Sequence, residues 1–130
     1  MIQLQRSPRM RATWRRIQDR LGLGGGLFRR YHGPLTRGEG AFGICSFWAA
    51  EYLAMGGGSR DQAEELLDQM AGYANDVGLY GEEIDPASGR ALGNFPQAYT
   101  HVGLINAALS LQARAEKGHA VQPALAGVHA

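Results

Sequence analysis

Apolar residues recur at helical spacing in four stretches of this chain. Ser7 and Pro8 read as the N-cap and first residue of the first helix, because a serine oxygen accepts an orphan backbone N–H and proline has none to lose. Met10, Trp14, Ile17 and Leu21 follow on one apolar stripe, and Gly22, Gly24, Gly25 and Gly26 stop the helix near residue 22. A short extended piece, Leu27 to His32, comes next. The second helix, about 41–55, has little polar face: Phe42, Ile44, Cys45, Phe47, Trp48, Ala49, Ala50, Tyr52, Leu53 and Ala54 predict burial nearly all round. Gly56, Gly57 and Gly58 end it. The third, about 60–74, opens on a capping box of Ser59 and Gln62. It carries Ala63, Leu66, Leu67, Met70 and Ala71 on one face, with Arg60, Asp61, Glu64, Glu65 and Asp68 opposite. The fourth, about 96–113, holds Val102, Leu104, Ile105, Ala108, Leu109 and Leu111 and is again low in polar residues.

One-sided helices therefore alternate with nearly all-apolar ones. Two concentric layers of helices produce that alternation, whereas a simple four-helix bundle would show four similar stripes. The expected class is all-α. Residues 114–130 turn Ala/Gly/Pro-rich and predict a loosely held tail. Between the third and fourth helices, residues 75–94 show no helical spacing, a long connection of the kind that is usually functional or disordered. Leu79, Tyr80, Ile84, Leu92 and Phe95 argue against disorder, and Asp85-Pro86-Ala87-Ser88-Gly89 reads as a turn just beyond the acidic pair Glu82 and Glu83.

A chain of 130 residues supports one core, and 45% hydrophobic with 19% charged residues is the composition of a soluble globular protein. No apolar run reaches the roughly 18 to 20 residues of a membrane helix. The arginine-rich N-terminus lacks the apolar middle of a signal peptide, so a cytoplasmic location without membrane attachment is expected. Cys45 is the sole cysteine, which excludes an internal disulfide and suits a small buried hydrophobe. No metal-ligand cluster stands out, and no cofactor is expected. The net charge of +1 conceals an asymmetry: residues 1–37 hold nine arginines against Asp19, a net +8, and residues 38–130 a net −7. No nucleic-acid reading motif accompanies the basic third, so mutual attraction within one fold, or a basic face turned to a further segment, is the simpler account.

Three blocks carry a family resemblance. They are Gly38-Glu39-Gly40-Ala41-Phe42 leading to Cys45-Ser46-Phe47-Trp48, then Tyr73 through Pro86, then Gly93-Asn94-Phe95-Pro96-Gln97 through Asn106. Over roughly residues 10–112 the chain resembles the C-terminal end of glycoside hydrolase family 15, which contains bacterial glucoamylases, glucodextranases and trehalases. The resemblance implies that residues 1–113 are the C-terminal portion of an (α/α)6 barrel acting on an α-glucoside such as trehalose or an α-glucan. It implies inversion at the anomeric carbon, with Glu82, first of the acidic pair, as general base. Inversion needs a second carboxyl, about 6.5–9.5 Å away, as general acid. The family's acid lies on an earlier segment, and Glu39 does not match its motif. The 130 residues are therefore expected to be inactive alone and to associate through exposed apolar helix faces.

Arg30 resembles the arginine with which family members hydrogen-bond the sugar, with Arg29 the alternative if the register slips by one. Tyr31, Trp48 and Tyr99 are candidate stacking or packing surfaces; for Trp48, on an apolar helix, core packing is the better expectation. His101 either shapes the site or is a satisfied structural histidine. The competing reading is a non-catalytic helical interaction module.

Overall fold

The computed structural model describes residues 2–121 and is mostly helical. A short α1 (Ile2–Gln5) precedes α2 (Pro8–Leu21), where the Ser7 hydroxyl accepts the Met10 N–H at 3.2 Å. Glycines turn the chain through a small antiparallel pair, β1 (Gly22–Gly24) and β2 (Leu27–Phe28). A 3₁₀ turn (Pro34–Thr36) leads to β3 (Ala41–Phe42) and then α3 (Gly43–Tyr52). A π-helical turn (Leu53–Gly57) closes α3, with Gly56 at φ 104°, a conformation open to glycine and strained for other residues. The helix α4 (Arg60–Ala71) starts on the Ser59–Gln62 capping box. Two more short strands, β4 (Glu83–Ile84) and β5 (Ala91–Leu92), precede α5 (Ala98–Val121).

The core sits where α3 packs against α4 and α5. Phe47, Ala50, Ala63, Met70 and Ala107 are fully buried there, and Tyr80 sets its ring edge-on to Phe47 with centroids 5.3 Å apart. Two glycines let α3 and α5 approach this closely. A Cβ on Gly103 would stand 2.6 Å from Ile44 Cδ1, and one on Gly43 would stand 2.6 Å from Thr100 Cγ2. On α2, the partly buried Trp14, Ile17 and Leu21 pack against the core, Trp14 through the rings of Phe28 and Tyr52.

Three sequence expectations change. First, Trp48 is 48% exposed, so it is not a core residue: its neighbours Phe47 and Ala49 face the α3 interfaces and turn it outward. Second, α5 is not buried on all sides, since Val102, Ile105 and Leu109 form an exposed apolar row on it. Third, α5 continues eight residues past 113 to Val121. The extension has a partner: the Arg114 guanidinium donates to the carbonyls of Leu53 at 2.8 Å and Gly58 at 3.0 Å, oxygens near the α3 end that the π-turn leaves open. Of the segment expected to be a loose tail, residues 122–130 lie outside the described residues. Among the described residues no helix is long and apolar enough to cross a membrane.

The long 75–94 connection is ordered by local chemistry. The Asn75 side-chain oxygen accepts the Val77 and Leu79 N–H groups, and the Asp85 carboxylate accepts the Ala87 N–H and the Ser88 hydroxyl. The second turn folds β4 onto β5, and β3 pairs with β4 on its other edge. A three-stranded patch therefore lies across the start of α3.

The Tyr80 hydroxyl is buried and donates to the Met70 carbonyl at 3.0 Å, and burial pushes the phenol above its ordinary 10.0. The folded state therefore holds the phenol proton more tightly than the unfolded chain. The resulting stability is whole below pH 10 and is lost as the pH climbs from there through the raised value. We expect alkaline unfolding, followed by circular dichroism, to move to higher pH in Tyr80→Phe. An unmoved midpoint would mean that this phenol does not govern it.

Candidate active site

Glu82 is fixed at a junction. Its N–H donates to the Asn94 carbonyl at 2.8 Å, and its own carbonyl accepts the Gly43 N–H at 3.1 Å, so one residue ties the β4–β5 hairpin to the first turn of α3. Its side chain is oriented as firmly as its backbone. Oε2 accepts both the backbone N–H and the side-chain Nδ2–H of Asn94, each at 3.2 Å. Gly93, at φ 71°, allows this, because a Cβ there would stand 2.7 Å from Oε2. Both donors fall on one oxygen, and among the described residues none donates to Oε1.

Glu83 faces elsewhere, as successive strand residues do. Its Oε2 accepts the Gly40 N–H at 2.7 Å, which places this carboxylate beside the chain entering β3. The acidic pair is thus split between the cavity and the scaffold.

The cavity beside Glu82 has a volume of about 290 Å³, near the lower end of small-ligand sites. Arg30, Trp48, Gln97 and Tyr99 join Glu82 in lining it. Trp48 and Tyr99, one from α3 and one from α5, meet edge-on with centroids 5.8 Å apart, and both are about half exposed. The Arg30 guanidinium carbon lies 4.5 Å from the Phe42 ring centroid and 4.9 Å from that of Tyr31. It forms an ion pair with Glu39, which raises its already high pKa. Arg29 instead lines an apolar cavity between α2 and α3, walled by Trp14, Phe28 and Tyr52, so Arg30 holds the position beside Glu82. Cys45 borders both cavities, and burial raises its thiol pKa.

Tyr31 and His101 do not line the Glu82 cavity. The Tyr31 hydroxyl contacts Arg30 and Glu39 at 3.5 and 3.4 Å. Both ring nitrogens of His101 serve the backbone: Nδ1 lies 2.7 Å from the Gln97 carbonyl, and Nε2 accepts the Tyr80 N–H at 3.3 Å. A carbonyl only accepts, so in this arrangement Nδ1 is the donor and Nε2 the acceptor. Thr100 adds a buried bond to the Gly81 carbonyl at 3.1 Å, and the Gln97 N–H donates to the Tyr80 carbonyl at 2.9 Å. The first turn of α5 is therefore stitched to residues 80–81, immediately ahead of Glu82.

Asn94 and Gln97 carried no signal as site residues in the sequence, and Glu39 stood there only as a general acid that its motif did not support. Asn94 and Gln97 stood in the third quoted block, but nothing in their spacing told that one would hold a carboxylate and the other face the cavity. Among the described residues no group of three or more His, Cys, Asp or Glu side chains converges as metal ligands.

Comparison with known proteins adds a family to this geometry. Residues 58–109 match the model of glycosyl hydrolases family 15. The trehalase of Mycolicibacterium smegmatis is 45% identical over 105 residues, covering 77% of this chain and 15% of that protein. The trehalase of Mycobacterium tuberculosis is 41% identical over 124 residues, covering 90% of this chain and 18% of its own length. That of Thermoplasma acidophilum is 42% identical over 102 residues, with coverage of 77% and 17%. The chain thus spans less than a fifth of the length of these curated relatives. No solved structure gave a significant match. The stretch of this chain that is similar to family 15 glycosyl hydrolases, residues 58–109, is thus the one that carries Glu82 and Asn94 together.

Proposed function

We propose that this chain supplies the general-base half of an inverting α-glucoside hydrolase of the trehalase type. The observation that carries the reading is the state of Glu82: one carboxylate oxygen anchored twice by Asn94, the other without a hydrogen-bond donor among the described residues, in a cavity shared with Arg30, Trp48, Gln97 and Tyr99. A general base must hold a water and take its proton as the glycosidic bond breaks. An ionised carboxylate clamped on one oxygen presents the other in a set direction. Arg30 brings a planar fork of donors suited to a pair of sugar hydroxyls, and Trp48 and Tyr99 bring apolar faces for a pyranose ring. Tyr31 and His101 act behind this surface, Tyr31 on Arg30 and His101 on the backbone at Tyr80, two residues ahead of Glu82.

Trehalose is the substrate we favour, because the relatives with this stretch of sequence bear the name trehalase. The reading includes an (α/α)6 barrel in which α3 and α5 are inner helices. The exposed row Val102, Ile105 and Leu109 is then the face that further hairpins cover. The general acid belongs to such a hairpin, on the opposite side of the scissile bond.

The test is a chimaera in which residues 10–112 replace the matching segment of the Mycolicibacterium smegmatis trehalase. It should hydrolyse trehalose and release one of its two glucoses as the β-anomer, seen by proton NMR before mutarotation, whereas the 130-residue chain alone should show no turnover. An α-only product, or turnover by the isolated chain, would overturn the inverting half-site.

A further inference from the structure

We propose that Glu39 is a positioning residue: it holds Arg30 by one edge of the guanidinium so that Nη1 is presented to sugar hydroxyls. The proposal rests on the reading of the Glu82 cavity as a glucoside site. Five N–H groups of an arginine form a rigid fork, and what matters is which edge is already used. Here Nη2 of Arg30 donates to Glu39 Oε1 and lies 3.5 Å from the Tyr31 hydroxyl, while Nε donates to Glu39 Oε2 at 3.4 Å. Among the described residues, Nη1 donates to none. The rings of Phe42 and Tyr31 lie against the guanidinium and restrict its tilt. Three contacts of different kinds therefore fix the plane and leave one edge, with two N–H groups, unspent.

The loop that delivers Glu39 is itself built. The Thr36 hydroxyl donates to the Gly33 carbonyl at 2.6 Å, and the Glu39 N–H donates to the Thr36 carbonyl at 3.2 Å. Gly38, at φ 88°, then reverses the chain so that residue 39 returns to residue 30. Stability is a weak reason for such a pair, because its side chains are 45% and 22% exposed and exposed ion pairs add little to folding. Glu39 is also unsuited to exchange protons with substrate, since Arg30 and Tyr31 occupy it. The pair raises the arginine pKa in keeping with the geometry, but the argument stands on the contacts.

The experiment uses the whole chain, labelled with ¹⁵N-arginine, and trehalose as the probe. The Arg30 Nε–H resonance, identified by its loss in Arg30→Lys, should exchange slowly with water in the wild type and collapse into fast exchange in Glu39→Gln. Trehalose affinity, read from the Trp48 indole N–H resonance, should fall about tenfold in Glu39→Gln and in Arg30→Lys alike, the effect of one charge-assisted hydrogen-bond set. In the Arg30→Lys background Glu39→Gln should cost no further affinity, which a merely structural role would not predict. An Arg30 resonance unchanged in Glu39→Gln, or equal and additive losses in the two backgrounds, overturns the positioning role. A wild-type chain whose Trp48 signal ignores trehalose overturns the sugar-site reading instead, and the exchange arm then decides the Glu39–Arg30 coupling by itself.

Discussion

In the trehalase chimaera, Glu82→Gln is expected to lower kcat for trehalose by about 10²–10⁴-fold with little change in KM, the span associated with loss of one acid–base group. Glutamine keeps the length and shape of the side chain, and its amide oxygen can still accept the two Asn94 donors that now meet on Oε2. What it cannot do is take a proton from water. Glu83→Gln is the matched control, one residue along and pointing the other way. Its oxygen holds the Gly40 N–H, a bond an amide oxygen can keep, so activity should stay within about twofold of the parent, on the scale of a surface substitution. Steady-state kinetics on both variants, with circular dichroism to show equal folding, decides the matter. A loss carried by Glu83→Gln, or full activity in Glu82→Gln, would remove Glu82 from the mechanism.

Phe47→Ala is expected to destabilise the chain by about 3–5 kcal/mol, the cost of emptying a buried phenylalanine site. Phe47 is fully buried, meets the edge of Tyr80, and its Cβ would lie only 3.0 Å from a Cβ placed on Gly103. It thus plugs the junction of α3, α5 and the segment of residues 80–81 that leads to Glu82, and its neighbours cannot close on the void without moving that segment. Against a total stability of about 5–15 kcal/mol for an ordinary domain, the variant should be close to unfolding. Trp48→Ala is the contrast: one position later on the same helix and half exposed, it should shift the urea midpoint by well under half as much as Phe47→Ala. Equal losses would return Trp48 to the core, where its sequence context first placed it.

The misplacement of Trp48 and of the α5 face has one cause. Apolar periodicity reports that a helix was selected to be covered, but it does not report by what. Trp48, Tyr99, Val102, Ile105 and Leu109 are apolar in sequence and exposed in the described structure. The end of α5 was misread for a related reason. Ala, Gly and Pro content signalled a tail after residue 112, but Arg114 reaches the carbonyls of Leu53 and Gly58, a contact across some 60 positions that no local pattern contains.

What the amino-acid sequence determined by itself was local: the Ser7 and Ser59 caps, the glycine stops, the turn at Asp85, and the blocks of residues that carry the family resemblance. Each depends on groups within a few positions of one another, so the chain specifies it before any core exists. Only the tertiary structure turned Glu82 and Glu83 to different neighbours, set Arg30 and not Arg29 beside Glu82, and brought Asn94 to Glu82 and Glu39 to Arg30. Those outcomes depend on which way a side chain leaves the backbone and on which distant segment arrives there, as where the pairing of β3, β4 and β5 brings Glu82 to the start of α3.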